Sequence, residues 1–227
     1  PFGGDGDYIW GPEGKTVLYV TKQTKGTDYA VSTNTDIFEY NIVTKETKNL
    51  TEGMMGYDAA PAYSSTGKLA WLSMKRDGYE SDKNDIIILN GSEKVNLTKD
   101  WDGTVSGFIW SKDGATIYFT ASTAGTKQVY QVNYDKNVAE VQQITRGQFD
   151  IRSIIGQSGN TLVVNRTDMN HANELFTVDL KSGDVKLLTN VNKEFYKSFL
   201  SKNLFNLSID SSCSHWSICL YLSSIFS

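Results

Sequence analysis

A hairpin motif that recurs about every 45 residues constrains the fold of this chain more than any other feature. Each copy has an apolar residue, a polar turn and a glycine: Trp10-Gly-Pro-Glu-Gly-Lys15, Tyr63-Ser-Ser-Thr-Gly-Lys68, Trp110-Ser-Lys-Asp-Gly-Ala115 and Ile155-Gly-Gln-Ser-Gly-Asn160. A second motif, an aliphatic residue followed by threonine, ends each repeat, with the threonines at positions 51, 98, 145 and 189. Because two independent motifs share one period of this size, the sequence predicts a β-propeller.

Each repeat contains four short strand-like runs separated by turn signals, which is the anatomy of a propeller blade. The runs of the first two repeats are Asp7–Trp10, Thr16–Thr21, Asp36–Asn41, Lys48–Leu50, Ala59–Tyr63, Leu69–Met74, Asp85–Leu89 and Lys94–Leu97. No segment of residues 1–190 has convincing helical periodicity. We therefore predict an all-β chain of about four four-stranded blades, at 7–51, 58–98, 105–145 and 151–189, within a propeller region of residues 1–194.

The longest insertions join the second and third strands of the predicted blades, and such connections emerge on one face of a propeller. They are Lys22–Thr35, Lys75–Asn84, Ser122–Lys127 and Thr167–Asn173. Loops held by a rigid scaffold commonly carry function, so we expect this face to be the working surface.

Composition limits the partners of the chain. The formal net charge of −4 and the pI of about 5.2 provide no broad basic field, which argues against nucleic acid or an anionic membrane as the main partner. Both cysteines, Cys213 and Cys219, lie near the C-terminus. The repeats therefore need no disulfide and no cysteine-ligated metal.

Residues 195–227 differ in kind from the repeats. The stretch is rich in serine, holds both cysteines and does not continue the hairpin motif. Its apolar run from Trp216 to Phe226 is too short to span a bilayer. We expect this tail to lie outside the propeller fold, and a linker or a capping segment is the alternative.

The chain offers no catalytic residue, metal ligand set or cofactor motif. A nucleophile elbow requires Gly-x-Ser-x-Gly, and the nearest approach, Gly156-Gln-Ser-Gly-Asn160, occupies a hairpin slot, so Ser158 is not a candidate nucleophile. The two histidines, His171 and His215, have no histidine or cysteine partner at zinc-ligand spacing. Asp5-Gly-Asp7 and Asp82-Lys-Asn-Asp85 lack the ligand series of a calcium loop, and turn chemistry explains them.

One constellation in the loop between the predicted second and third strands of blade 2 has functional potential. Lys75-Arg-Asp-Gly-Tyr-Glu-Ser-Asp82 places Arg76, Asp77, Glu80 and Asp82 together. Carboxylates aimed into a cavity would pair with the α-ammonium of a peptide, and an arginine would engage a peptide carboxylate or carbonyl. A salt-bridged, solvated loop is the alternative.

Three tyrosines are further candidates for a binding surface. Tyr29, Tyr57 and Tyr79 either line a groove or pack within the core and loops.

Several segments carry a family resemblance. The hairpin Trp110-Ser-Lys-Asp-Gly114 resembles the Ser-Pro-Asp-Gly hairpins of TolB and of prolyl oligopeptidase family serine peptidases. The stretches 30–38, 72–84 and 173–179 are more specific. Together they resemble the propeller of bacterial dipeptidyl and acylaminoacyl peptidases of that family, over roughly residues 1–195.

That resemblance implies a seven- or eight-bladed ring, of which this chain holds an incomplete part. In the family, the propeller precedes an α/β-hydrolase domain with a Ser-Asp-His triad and restricts access to peptides. Here a hydrolase domain would begin soon after residues 190–196, where the chain runs instead into its serine-rich tail. Propeller acids bind the substrate amine in dipeptidyl peptidases of this kind, and Glu80, Asp77 and Asp82 are their counterparts by position.

Three functions follow as hypotheses. The first is a gating, substrate-selecting propeller of a periplasmic or secreted serine exopeptidase, with peptide substrates and a separate α/β-hydrolase domain as its partners. The second is a TolB-like module that binds another protein on one face. A propeller glycosidase requires paired acids on inner strands, and the runs Ala59–Tyr63 and Ser106–Trp110 offer none.

Overall fold

The computed structural model describes residues 7–134 and 140–200, without the side chains of 198–200. The chain divides after Asn190, and the described part of the second unit contains one helix. The strands are β1 (Tyr8–Trp10), β2 (Thr16–Thr21), β3 (Asp36–Asn41), β4 (Thr47–Asn49), β5 (Asp58–Tyr63), β6 (Leu69–Ser73), β7 (Asp85–Asn90), β8 (Glu93–Asn96), β9 (Val105–Trp110), β10 (Thr116–Thr123), β11 (Thr126–Asn133), β12 (Val141–Gln143), β13 (Asp150–Ser158), β14 (Thr161–Thr167), β15 (Glu174–Asp179) and β16 (Val185–Leu187). The helices are α1 (Asp28–Val31) and α2 (Lys193–Leu200).

The strands form four antiparallel blades in chain order, β1–β4, β5–β8, β9–β12 and β13–β16. A parallel pairing of Lys127 with Asp150 joins the last two blades into one sheet. The first strands β1, β5, β9 and β13 contact one another in that order. The predicted fold, an all-β partial propeller of four four-stranded blades, is confirmed.

The structure differs from the sequence prediction at several strand ends and in two connections. The insertion predicted at Ser122–Lys127 is a tight turn of residues 124 and 125, because β10 continues to Thr123 and β11 begins at Thr126. Strand β5 begins at Asp58, one residue earlier than predicted. The connection 22–35 contains α1, which was not predicted because a helix of four residues is too short to show periodicity. The assignment of the tail stays a prediction, since residues 201–227, with His215, Cys213 and Cys219, lie outside the described residues. No helix in the described part of the chain is long and apolar enough to cross a membrane.

The apolar core lies between successive blades. One cluster joins Leu18 and Ile37 of the first blade to Trp71 of the second, and all three side chains have no exposed surface. Equivalent clusters join the second blade to the third and the third to the fourth. Full burial of a large apolar side chain contributes roughly 1.5–3 kcal/mol, so the blades stabilise one another mainly through these inter-blade faces.

The four glycines of the repeated hairpins adopt positive φ. Their values are 68° at Gly14, 81° at Gly67, 70° at Gly114 and 55° at Gly159, a conformation that costs glycine little. Neighbouring hairpins also bind each other. The indole Nε1 of Trp110 donates to the Ala62 carbonyl at 3.1 Å, and the Ser65 hydroxyl donates to the Lys112 carbonyl at 2.7 Å. The hairpin motif therefore fixes both the turn within a blade and the contact between blades.

The aliphatic-threonine motif closes each blade onto its third strand. The threonine hydroxyl accepts a backbone N–H near the start of that strand, at 2.9–3.0 Å, and donates to the side chain of the residue before it. The sets are Thr51 with Ile37 and Asp36, Thr98 with Ile86 and Asp85, Thr145 with Val129 and Gln128, and Thr189 with Leu175 and Glu174. Thr51, Thr98 and Thr145 are buried and Thr189 is half-buried, and a hydroxyl with both partners present explains why threonine recurs at these positions.

Candidate functional site

The candidate site lies on the face of the propeller opposite the hairpins. Because the strands of a blade are antiparallel, the β2–β3 and β6–β7 connections emerge on the face where each first strand begins. The first connection, 22–35, contains α1, and the second, 74–84, contains the predicted cluster. The two connections belong to neighbouring blades, so the site is formed across a blade boundary.

Asp77 ties the two connections together. Its Oδ1 accepts the Ser32 hydroxyl at 2.7 Å and the backbone N–H groups of Thr33 at 2.7 Å and Asn34 at 3.1 Å. In return, the Thr33 hydroxyl accepts the Gly78 N–H at 2.8 Å. The hydrogen bond from Ser32, assisted by the backbone donors, lowers the pKa of Asp77. The Asp77 carboxylate thus has a structural role, because it holds the two connections together. We call this set of hydrogen bonds between Asp77, Gly78 and residues 32–34 the tie.

Lys22, the first residue of the 22–35 connection, also holds α1 in place. Its ammonium donates to the carbonyl oxygens of Tyr29 and Ser32, at the C-terminal end of α1, and lies 4.8 Å from the centre of the Tyr29 ring. A cation at this end of a helix satisfies carbonyls that have no partner within the helix. Because Ser32 also binds Asp77, the short helix is held from both sides.

Arg76 clamps the turn formed by residues 79–82, which we call the clamped turn. The turn closes with a hydrogen bond from the Asp82 N–H to the Tyr79 carbonyl at 3.2 Å. The Arg76 guanidinium stacks on the Tyr79 ring, 3.8 Å from its centre, and its Nε lies 2.9 Å and 3.0 Å from the two Asp82 carboxylate oxygens. Hydrogen bonding to Arg76 lowers the pKa of Asp82 and raises that of Arg76. The two charges therefore neutralise each other, and one guanidinium holds both ends of the turn.

Glu80 occupies the tip of the clamped turn. Its side chain is exposed, and no hydrogen bond or ion pair involves its carboxylate within residues 7–134 and 140–200. Of the four residues in the predicted cluster, Asp77 is committed to the tie, and Arg76 and Asp82 are committed to each other. The structure brings the four onto one loop but leaves Glu80 as the anion that is available to a ligand.

The base of the site is packed tightly. A Cβ added to Gly56 would lie 2.0 Å from the Met74 carbonyl oxygen, so only glycine allows this approach. The Met74 N–H in turn donates to the Tyr57 carbonyl at 2.9 Å. Thr35 bridges the blades, because its hydroxyl donates to the Asp58 carbonyl at 2.8 Å and accepts the Asp58 N–H at 3.1 Å. The loops that carry the site therefore start from a rigid joint.

Asp58 is the ionisable residue at this joint that the sequence analysis did not identify. Its side chain has no exposed surface; Oδ1 accepts the Trp71 indole N–H at 3.1 Å, and Oδ2 has no partner among the described residues. Burial raises the pKa of Asp58 to about 7, against the hydrogen bond from Trp71 and the nearby hydroxyls of Ser73 and Thr51, which lower it. The sequence signal was an acid beside the predicted start of an inner strand, which does not reveal burial.

Other candidates lie away from this loop. Ser158 ends β13 at a hairpin, and the His171 imidazole Nδ1 lies 2.8 Å from Asp168 Oδ1 in an exposed loop. Within residues 7–134 and 140–200, no group of three His, Cys, Asp or Glu side chains is arranged to hold a metal ion. Tyr29 and Tyr79 each pack against a cation of their own loop, Lys22 and Arg76, as the alternative of loop packing predicts. All three tyrosines, with Tyr57, remain partly exposed.

Comparison with known proteins identifies relatives of this chain. The profile of the TolB β-propeller domain matches residues 8–203. Dipeptidyl-peptidase 5 of Porphyromonas endodontalis is 38% identical over 196 residues, which cover 85% of this chain and 28% of the relative. Dipeptidyl-peptidase 5 of Porphyromonas gingivalis is 32% identical with the same coverage. The chain thus spans little more than a quarter of the length of these relatives.

Solved structures agree on the fold. Acylaminoacyl peptidase from Pyrococcus horikoshii superposes with a TM-score of 0.64 at 20% identity, over 84% of this chain and 28% of that chain. At this identity the similarity concerns the fold alone. The profile match, which extends over most of the chain and all four blades, assigns the protein to a family: this chain belongs to the TolB β-propeller domain family.

Proposed function

We propose that this chain is the substrate-selecting propeller of a serine exopeptidase of the dipeptidyl or acylaminoacyl peptidase type. For the dipeptidyl type, whose substrates keep a free N-terminus, we propose that Glu80 binds the N-terminal ammonium of the peptide. The observation that carries the proposal is the uncommitted Glu80 carboxylate at the tip of the clamped turn. A carboxylate and an ammonium form charge-assisted hydrogen bonds, which are stronger than neutral ones. The curated relatives, named dipeptidyl-peptidases, support a peptide as the ligand.

The surrounding charges favour a single cationic ligand. Arg76 is neutralised by Asp82, and the Asp77 charge is taken up by donors from the first connection. Residues 79–82 together with Arg76 therefore carry one net negative charge, at Glu80, and the Lys75 ammonium, whose charge helps to lower the pKa of Asp82, is the remaining cation beside the turn. In this arrangement Arg76, Asp77 and Asp82 are positioning residues, and Arg76 serves as the clamp of the turn rather than as a ligand of a peptide carboxylate.

In the same proposal, the propeller filters peptides by size and N-terminus, while an α/β-hydrolase domain of the parent protein performs acyl transfer. The parent protein would be periplasmic or secreted, as the family resemblance implies. Assaying the parent protein on dipeptidyl and acylaminoacyl chromogenic substrates tests the first part. Detection of the parent protein in cytoplasmic, periplasmic and culture fractions tests the second.

The role of Glu80 is tested by isothermal titration of the chain with a tetrapeptide amide, with its N-terminus either free or acetylated. We expect the free amine to bind more tightly, and Glu80→Gln to remove that preference while retaining the shape of the side chain. Glu93→Gln is the matched control, because Glu93 is an exposed glutamate of the same blade at the β7–β8 hairpin, on the opposite face. Equal affinity for the free and acetylated peptides would contradict the proposal and favour a TolB-like protein-binding module.

A further inference from the structure

Two exposed apolar side chains flank the tie made by Asp77. Val31 lies at the C-terminal end of α1, and Tyr79 begins the clamped turn on the neighbouring blade. Their exposed fractions are 71% and 51%. Exposed apolar surface beside a polar site is typical of a surface that binds a ligand.

The tie brings the backbones next to these two side chains into contact. Ser32, which follows Val31, donates to Asp77, and Gly78, which precedes Tyr79, donates to Thr33. A Cβ on Gly78 would lie 3.8 Å from the Val31 carbonyl oxygen. The two loops are therefore in contact at this point, with an apolar side chain on each side of the contact.

Tyr79 is also held in place before any ligand binds. The Arg76 guanidinium lies against its ring, and Asp82 fixes that guanidinium through its carboxylate. An aromatic ring that is already immobilised loses little conformational entropy when it contacts a ligand. The clamp thus provides a rigid apolar surface next to Glu80, the residue that follows Tyr79 in the chain.

We propose that Val31 and Tyr79 form an apolar subsite for the side chain of the first residue of a bound peptide, so that the site selects peptides with a large apolar N-terminal residue. This inference rests on the proposed role of Glu80. An N-terminal residue is the expected ligand because the Glu80 carboxylate lies next to the apolar side chain of Tyr79. In an N-terminal residue, the ammonium and the side chain branch from one Cα, which matches an anion adjacent to an apolar surface. The neutralised Arg76–Asp82 pair adds no net charge that would favour a polar side chain.

The test measures the affinity of the chain for two tetrapeptide amides, Phe-Ala-Ala-Ala and Gly-Ala-Ala-Ala, by isothermal titration. We expect the first peptide to bind about tenfold more tightly, the effect of burying roughly half of a phenylalanine side chain. Tyr79→Ser and Val31→Ser should each reduce the ratio to below about threefold. Tyr79→Phe, which retains the ring, should leave it unchanged.

The variants separate this inference from the proposed function. Glu80→Gln should weaken both peptides by the same factor and leave their ratio unchanged. Equal affinity of the unmodified chain for the two peptides overturns the subsite, and it leaves the role of Glu80 intact if Glu80→Gln still weakens both. A ratio that persists in both serine variants also overturns it. Thermal unfolding of each variant, compared with Tyr79→Phe, shows whether the fold is retained.

Discussion

Asp58 should make the stability of this chain depend on pH. In the folded chain the buried carboxyl keeps its proton up to about pH 7, whereas its ordinary pKa is 3.8. The folded state therefore binds more protons than the unfolded state between these two values. The free energy of unfolding consequently falls as the pH rises through this window, and the loss is complete above about pH 7.

The magnitude follows from the shift in pKa. A change from 3.8 to about 7 is roughly three units, and each unit corresponds to about 1.4 kcal/mol. The full effect is thus about 4 kcal/mol, of which about 3 kcal/mol falls between pH 5 and pH 8. A domain of ordinary stability has only about 5–15 kcal/mol in total, so the effect is measurable. Its structural origin is an ionised Oδ2 without a partner, beside the charge of Asp36, at the joint of the first two blades.

Urea unfolding of the chain and of Asp58→Asn at about pH 5 and pH 8 measures this effect. The asparagine keeps an oxygen to accept the Trp71 N–H but carries no charge at either pH. We expect the unmodified chain to lose about 3 kcal/mol more than the variant over this range. Asp184→Asn, at an exposed position, is the control and should follow the unmodified chain. Parallel pH profiles for the chain and Asp58→Asn would refute the reasoning.

Three further perturbations test the fold and the site. Thr98→Val should cost about 3 kcal/mol in urea unfolding, because it leaves a buried N–H and a buried carboxylate without their shared hydroxyl, whereas Thr98→Ser should cost about 1 kcal/mol. Asp77→Ala should speed tryptic cleavage at Lys25 severalfold by releasing the first connection, with little change in the unfolding midpoint; unchanged cleavage would contradict the tie. Gly56→Ala should destabilise the chain by about 2 kcal/mol or more in thermal unfolding, because its Cβ meets the Met74 carbonyl, and a neutral result would mean that the loop relaxes easily.

Part of the candidate site was accessible from the sequence. The loop 75–84 was identified because it is a long insertion with six charged residues at a position that a family resemblance singled out. The separate roles of those residues were not accessible. Asp77 and Asp82 are both carboxylates in the same loop, yet one binds the neighbouring blade and the other binds Arg76. Only the approach of the first connection, some 45 residues earlier in the chain, distinguishes them.

The sequence by itself determined the repeat, the four blades and the positions of the hairpins and closing threonines. These features are local, since a positive φ or a strand pattern depends on residues close in the chain. The tertiary structure alone decided which polar groups meet. Each closing threonine binds a side chain 13–17 residues earlier, and Asp58 becomes buried only where two blades pack together. Because burial and the partners of a charge set its pKa and its availability to a ligand, the buried state of Asp58 and the separate roles of Asp77 and Glu80 become apparent only when the blades are assembled.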